Sequence, residues 1–339
     1  MRRILLPRFI DESPPLTDGV VRHFGGTGMG TSWSVQLVAP ADNPGDDFQI
    51  GLQLQLDDVV AQMSHWEADS DLSRFNRAPA GSWHLLPQAF FDVLAFALKV
   101  SGESRGAYDP CAGALVNLWG FGPHGRFGAD DFVPPSDAQI GDALRERAAR
   151  HIQLDRDKSS ALQPGGVQLD FSAVAKGYAV DRLSYYLWSK GIRHYLVEVG
   201  GELRGLGFKP DGQPWWVRLE DAADDEGASV PDEMVLALHG LAVATSGDYR
   251  RYFVRDGQRY SHTIDPRKGT PIDNSVASVT VLHPLCMAAD AWSTALTVLG
   301  PDDGLALAEA QKLAARFVVR EYGVCREYMS APFREMLAE

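Results

Sequence analysis

A carboxylate and a hydroxyl stand four residues apart at Asp290 and Thr294, in the run Ala288-Ala289-Asp290-Ala291-Trp292-Ser293-Thr294-Ala295-Leu296. On a helix that spacing puts both on one face. Two oxygen ligands one turn apart suit Mg²⁺, a hard cation that takes few carboxylates and leaves positions to substrate phosphate and water. The competing reading is a first-turn helix acid, favoured by the helix dipole, with Thr294 packed inward. A second run, Leu169-Asp170-Phe171-Ser172-Ala173-Val174-Ala175-Lys176-Gly177-Tyr178, reads as a strand end followed by a helix start. Free amides there can face an anion, and Lys176 lies within reach of a phosphate. A capped helix with a surface lysine would look the same.

Two further segments carry side chains that packing alone does not favour. Ser246-Gly247-Asp248-Tyr249 is followed by Tyr260-Ser261-His262-Thr263-Ile264-Asp265-Pro266, which places His262 in a turn. Neutral imidazole is available at pH 7, so a loop His is a candidate general base, although a lone His is more often structural. Near the N-terminus, Gly28-Met29-Gly30-Thr31 forms a turn that lets backbone approach a ligand closely. Trp66, in Met63-Ser64-His65-Trp66-Glu67-Ala68-Asp69-Ser70, offers a flat face to a ring system or, equally, to a core.

The elements that must hold these groups follow from periodicity. Thr31 to Val38 alternates as a strand, and Leu52, Leu56, Val59, Val60 and Met63 recur with helical spacing over Ile50 to Gln62. Helices are expected over Phe90 to Val100, from a Ser136 cap to about Arg150, over Ala173 to Trp188, over Ala288 to Leu299 closed by Gly300, and over Asp302 to Lys312. Strands are expected at Gln168 to Phe171, Tyr195 to Val199, Trp215 to Leu219, Met234 to Leu238, Leu241 to Ala244 and Val276 to Leu282. Residues 1–20 read as an irregular arm, Gly120 to Pro135 as a loop, and Asp221 to Asp232 as an acidic solvated connection. Strands and helices interleave without a strict βαβ rhythm, which favours α+β.

Composition removes several function classes. A net charge of −13 argues against nucleic acid or an anionic membrane as the main partner. It also requires that any phosphorylated ligand be met by local neutralisation, from metal, lysine or helix N-termini. Cys111, Cys286 and Cys325 form neither a disulfide framework nor a zinc site. No apolar run is long enough to span a membrane. The opening Met1-Arg2-Arg3-Ile4-Leu5-Leu6 is broken by Pro7 and Arg8 before a secretory segment develops, so the chain reads as cytoplasmic, or periplasmic if its N-terminus is a trimmed one. Gly120-Phe121-Gly122-Pro123-His124-Gly125 has the letters of a dinucleotide fingerprint but not its context. Pro123 removes an amide and no helical pattern follows.

Taken in order, these segments resemble the ApbE family of FAD:protein FMN transferases, from about Phe24 to Ala310. The matching runs are Met29-Gly30-Thr31, Met63 through Asn76, Tyr108-Asp109-Pro110 with Leu118-Trp119-Gly120-Phe121-Gly122, Asp170 through Asp181, Val197 through Glu202, Ala244 through Tyr249, Ser261 through Pro266, and Ala289-Asp290 through Thr294. The resemblance implies a bilobal α+β fold related to the T-fold, with the flavin site between lobes, over a single domain at 21–339. It implies Mg²⁺-dependent transfer of FMN from FAD to a Thr or Ser hydroxyl of an acceptor protein, through a phosphoester bond and with release of AMP. By the same resemblance, Ala173 (carbonyl), Asp290 and Thr294 hold the metal, and Met29, Trp66, Asp109, Asp170, Lys176 and Ile264 contact FAD. His262 is then the candidate base, with Asp290 competing for that role. Ser293 stands where some members carry an acid, and Trp66 where Tyr is common. Known acceptors of the family include membrane redox-pump subunits and soluble reductases. Two other activities fit the same residues: an FAD pyrophosphatase releasing free FMN and AMP, and a non-catalytic FAD-binding protein.

Overall fold

The structure is a computed structural model. It describes residues 2–338 apart from 9–13, 15, 43–45, 124–126, 130, 150, 221–232, 249–251, 256–257 and 323. The chain divides into two compact units, Met1–Asp58 with Val174–Gly247 and Ser275–Glu339, and Val59–Ala173 with Asp248–Asn274.

Alternating and apolar runs of the first unit assemble an eight-stranded sheet. Its strands are β1 (Gly19–Gly28), β2 (Thr31–Pro40), β3 (Tyr195–Val199), β4 (Glu202–Leu206), β5 (Leu241–Gly247), β6 (Val276–His283), β7 (Ala314–Glu321) and β8 (Val324–Met329). Spatial order follows chain order from one edge to the other, and every neighbouring pair is antiparallel. Three helices matter for the chemistry: α1 (Asp46–Met63), α2 (Ala175–Ser189) and α3 (Cys286–Leu299). α3 lies on β5 and β6, while α2 lies on β3, β4 and α3. The opposite face is covered by a three-stranded sheet of Arg3–Leu5, Met234–Leu238 and Trp215–Arg218. Leu5, Trp215, Met234, Leu236 and Leu238 pack there with Val38, Val243 and Leu282. Covered on both faces, β6 is buried from Val276 to Leu282, which is why it reads as a continuous apolar run.

At the sheet edge, the Gln49 amide donates to the Gly25 carbonyl at 3.1 Å and Gln53 to that of Thr27 at 3.4 Å. These side chains of α1 occupy edge groups that would otherwise template another strand.

The second unit holds the helices Asp71–Asn76, Gln88–Glu103, Gly113–Leu118 and Asp137–Ala148, a sheet of Ser82–Leu85, Ser160–Gln163 and Gln153–Asp155, and two short hairpins. Ser136 caps the fourth helix in a capping box with Gln139. Leu115, Trp119, Phe121, Ile140 and Ile264 form one of its core clusters.

The α+β expectation holds, and some local expectations do not. Within the expected irregular arm, Arg3–Leu5 is a strand paired in parallel with Met234–Leu238, because its residues find an unoccupied edge. Gln168 to Phe171 is extended but forms no strand, only a single bridge from Gln168 to Ala112. Its backbone is met piecemeal: Asn76 donates to the Leu169 carbonyl at 2.9 Å and accepts from the Leu169 amide at 2.7 Å, the Gly113 amide donates to the Gln168 carbonyl at 3.0 Å, and the Asp170 amide donates to the Pro110 carbonyl at 2.8 Å. The acidic connection and the end of the false fingerprint lie outside the described residues. No helix among the described residues is long and apolar enough to cross a membrane.

Candidate functional site

In the first unit, the residues singled out by type gather at one end of the sheet. Antiparallel pairing of β1 with β2 leaves Met29-Gly30 as a two-residue hairpin loop, and pairing of β3 with β4 leaves Gly200-Gly201 as another. All four have positive φ: 55°, 72°, 59° and 99°. Three are glycines, for which that region costs little, but Met29 adopts it against its side-chain preference. The Gly200 amide donates to the Ser32 carbonyl at 3.1 Å, which ties the two tips together. A Cβ on Gly200 would stand 2.8 Å from the Thr31 methyl and 3.3 Å from Lys176 Cδ, so glycine lets the Lys176 stem lie across this turn. The Lys176 ammonium is ion-paired with Glu202, a buried residue at the start of β4.

Asp290 is the fifth residue of α3, so the first-turn reading fails; α3 has no acid in its first turn. Its carboxylate serves another helix. The α2 N-cap, Val174, provides no side-chain cap, and Asp290 Oδ2 accepts from the Gly177 amide at 2.9 Å. An anion there satisfies an orphan donor and faces the positive end of the α2 dipole. Gly177 makes the approach possible. A Cβ on it would lie 2.4 Å from the Cys286 carbonyl oxygen and 2.8 Å from Asp290 Cβ. One turn along α3, Thr294 Oγ1 lies 3.0 Å from Ser246 Oγ at the end of β5, and Ser293 Oγ lies 2.7 Å from the same oxygen. Ser293 also donates to the Asp290 carbonyl at 2.9 Å. The local groups are therefore one buried carboxylate and three hydroxyls, all oxygen. Among the described residues no set of three His, Cys, Asp or Glu converges. An oxygen set with one carboxylate matches the demands of Mg²⁺ better than those of Zn²⁺.

In the second unit, Trp66 is 56% exposed, which rules out a core role. Its loop is fixed by Ser64, whose Oγ accepts from the amides of Trp66 and Glu67 at 3.1 and 3.2 Å. The His65 ring stands 5.5 Å from that of Trp66, and His65 Nδ1 lies 3.7 Å from Asp170 Oδ1. The same Asp170 oxygen accepts from the Ser172 amide at 2.7 Å and shapes the turn that leads to Ala173.

Asp109 is held by its neighbours. Oδ1 accepts from the Cys111 amide at 2.8 Å, and Oδ2 pairs with Arg147 Nε at 2.5 Å. Arg147 also donates to the Pro266 carbonyl at 2.5 Å, linking Asp109 to the His262 turn. That turn is locked by Asp265. Burial pushes the Asp265 carboxyl up, but three bonds from Arg267 outweigh it and hold the group below its ordinary value. Half-buried His262 meets the edge of Phe121 at 6.3 Å. Ile264 belongs to the core, packed with Leu115, Trp119 and Phe121, so any ligand contact from it is by backbone or side-chain edge.

Four contributors were not singled out by sequence. Glu202, His65 and Arg147 are ordinary charged or polar residues whose partners lie far along the chain. Ser246 stands in the Ser246-Gly247-Asp248-Tyr249 run, but nothing in its neighbours signals the hydroxyls of Ser293 and Thr294. Tyr249, in the same run, lies outside the described residues.

Comparison with known proteins gives one consistent result. The family model described as "ApbE family" matches residues 29–317. A Vibrio cholerae protein named FAD:protein FMN transferase is 37% identical over 318 residues, covering 94% of this chain and 93% of the relative. A Salmonella typhimurium protein of the same name is 35% identical, covering 96% and 93%. Among solved structures, the apo form of the Pseudomonas stutzeri flavinyl transferase ApbE superposes with a TM-score of 0.84 at 39% identity, covering 95% of this chain and 98% of that one. The Thermotoga maritima apbe protein gives 0.81 at 29% identity, covering 94% and 100%.

Proposed function

This chain belongs to the ApbE family, and from that premise we propose that it is an FAD:protein FMN transferase that moves FMN from FAD to a Thr or Ser hydroxyl of an acceptor protein and releases AMP. The observation that carries the reading is the oxygen cluster at the start of α2: Asp290 on the Gly177 amide, with Thr294, Ser293 and Ser246 one turn on. Those donors fit Mg²⁺. Asp290 and Thr294 would hold it, together with the Ala173 carbonyl that the family resemblance adds. An ion held by these residues would supply charge neutralisation for the diphosphate and Lewis-acid polarisation.

The chain's own groups account for the rest. Lys176 is a compact cation on a flexible stem, held at the sheet end by Glu202; a diphosphate offers it a second anionic partner. Trp66 presents an exposed ring for stacking on a flavin or adenine. Met29, strained at φ 55°, brings a hairpin backbone to the ligand, and strain of this kind is retained at functional sites. Asp109 and Asp170 are the further residues that the family resemblance assigns to FAD. The acceptor hydroxyl attacks the FMN-side phosphorus, a new O–P bond forms, and the P–O bond to AMP breaks. The hydroxyl proton passes to His262. Phosphoryl transfer depends mainly on positioning and charge, so the base is the smaller contributor.

The reading is tested by AMP release from FAD. It should require both Mg²⁺ and acceptor, and it should stop on chelation. Release of AMP with free FMN at the same rate without acceptor would establish hydrolysis instead, and no turnover under any condition would leave only FAD binding.

A further inference from the structure

α2 and α3 cap each other. Asp290 of α3 accepts from the Gly177 amide at the start of α2. Asp181, the seventh residue of α2, returns the contact. Its Oδ1 accepts from the Cys286 amide at 3.0 Å, and its Oδ2 accepts from the Met287 amide at 2.9 Å. These are the first two amides of α3, whose own N-cap, Leu285, provides no side-chain cap. Arg204 of β4 completes the arrangement, with Nη1 on Asp181 Oδ1 at 2.5 Å. Asp181 is 3% exposed. Burial pushes its carboxyl up, and Arg204 with the two amides opposes that rise.

We infer that Asp181 is a positioning residue for the transfer site. It fixes the first turn of α3 against α2, and Asp290 lies one turn further on the same helix. The height of α3 relative to α2 therefore sets whether Asp290 meets the Gly177 amide, and with it the direction in which Asp290 and Thr294 present their oxygens. Gly177 leaves no slack for a compensating shift, since the two helices touch there through backbone. Asp181 reaches the site only through α3, much as partners of metal ligands set affinity without contacting the ion. This inference rests on the reading of Asp290 as the cation ligand.

The test uses Asp181→Asn in the full chain. Asn keeps the shape but turns an NH₂ toward amides that themselves donate. Two readouts do not require turnover. One is hydrogen exchange at the Gly177 amide in ligand-free protein, a group that Asp181 does not touch. The other is the Mg²⁺ concentration for half-maximal FAD binding, followed by flavin fluorescence. We expect Gly177 to exchange about tenfold faster and the Mg²⁺ midpoint to rise about 10–100-fold, the usual loss when a ligand's supporting partner is removed. Excess Mg²⁺ should restore FAD binding. Val180→Ala, at a fully buried neighbouring position of α2, serves as the control; it should lower stability and leave both readouts in place. If Asp181→Asn does not fold, Met287→Pro removes one donated amide and spares Asp181. Proline is tolerated in a first helical turn, as at Pro332 in this chain. Gly177 exchange and a Mg²⁺ midpoint within twofold of wild type would overturn the inference, as would equal changes in Val180→Ala. Wild-type protein that binds FAD with Mg²⁺ but transfers nothing would count against the proposed function and leave these readouts interpretable.

Discussion

Replacing Asp290 by Ala and by Asn separates what its carboxylate does for folding from what it does for chemistry. The side chain is 3% exposed and accepts from the Gly177 amide at 2.9 Å. Alanine leaves that buried donor without an acceptor, a loss of about 1–3 kcal/mol. It also removes an anion from a helix N-terminus, worth about 0.3–1 kcal/mol in exposed settings. Against this, no carboxylate need then be buried, so the net cost of Asp290→Ala should be about 1–3 kcal/mol, measured by urea denaturation. Asparagine keeps a carbonyl oxygen for Gly177 while losing the charge and turning the second acceptor oxygen into a donor, so its cost should fall below that of alanine. Both should nevertheless abolish transfer, because Asp290 is the one carboxylate among the proposed ligands, the others being a hydroxyl and a backbone carbonyl. Transfer is followed by the mass of an acceptor protein incubated with FAD and Mg²⁺. Asp290→Asn that transfers within about tenfold of wild type would refute the assignment. Destabilisation beyond about 5 kcal/mol in either variant would make Asp290 chiefly a helix-joining group.

Three other substitutions test separate parts of the site. Trp66→Ala should weaken FAD binding by about 1–3 kcal/mol, as loss of base–aromatic stacking does, with little change in stability because the ring is exposed; Trp66→Tyr should retain most of the affinity in a fluorescence titration. His262→Ala should slow transfer by about 10²–10⁴-fold while FAD affinity stays near wild type; an unchanged rate would remove His262 as base. Met29→Gly should raise stability by about 1 kcal/mol by relieving the positive φ and, because the proposed contact is by backbone, should leave FAD binding near wild type; clearly weaker binding would show that the Met29 side chain also contacts the ligand.

The parts of the fold legible in the sequence were those governed by local rules. The i,i+4 pair at Asp290 and Thr294, the Ser136 cap and the Met29-Gly30 turn all follow from spacing within a few residues. Contacts between distant segments were not legible. Asp290 reads as an acid of its own helix, yet it serves the start of α2, and no pattern within α3 signals that. β7 is hard to read because fully buried Arg316 interrupts its apolar run; the guanidinium is accommodated by Glu327 of the neighbouring strand, which accepts from its Nε at 2.7 Å. Gln168 to Phe171 reads as a strand, yet its backbone is met by the Asn76 side chain at Leu169 and by the Gly113 amide and Pro110 carbonyl on either side, rather than by a second strand. Glu202 stands beside Gly200-Gly201 with nothing in sequence to connect it to Lys176.

FMN transfer is tested most directly by incubating the purified chain with FAD, Mg²⁺ and a candidate acceptor protein, followed by intact and peptide mass spectrometry. The expected product is an adduct of FMN on one Thr or Ser of the acceptor, formed together with AMP and absent when Mg²⁺ is chelated or Asp290 is replaced. FAD cleaved to free FMN and AMP, with every acceptor offered left unmodified, would contradict it.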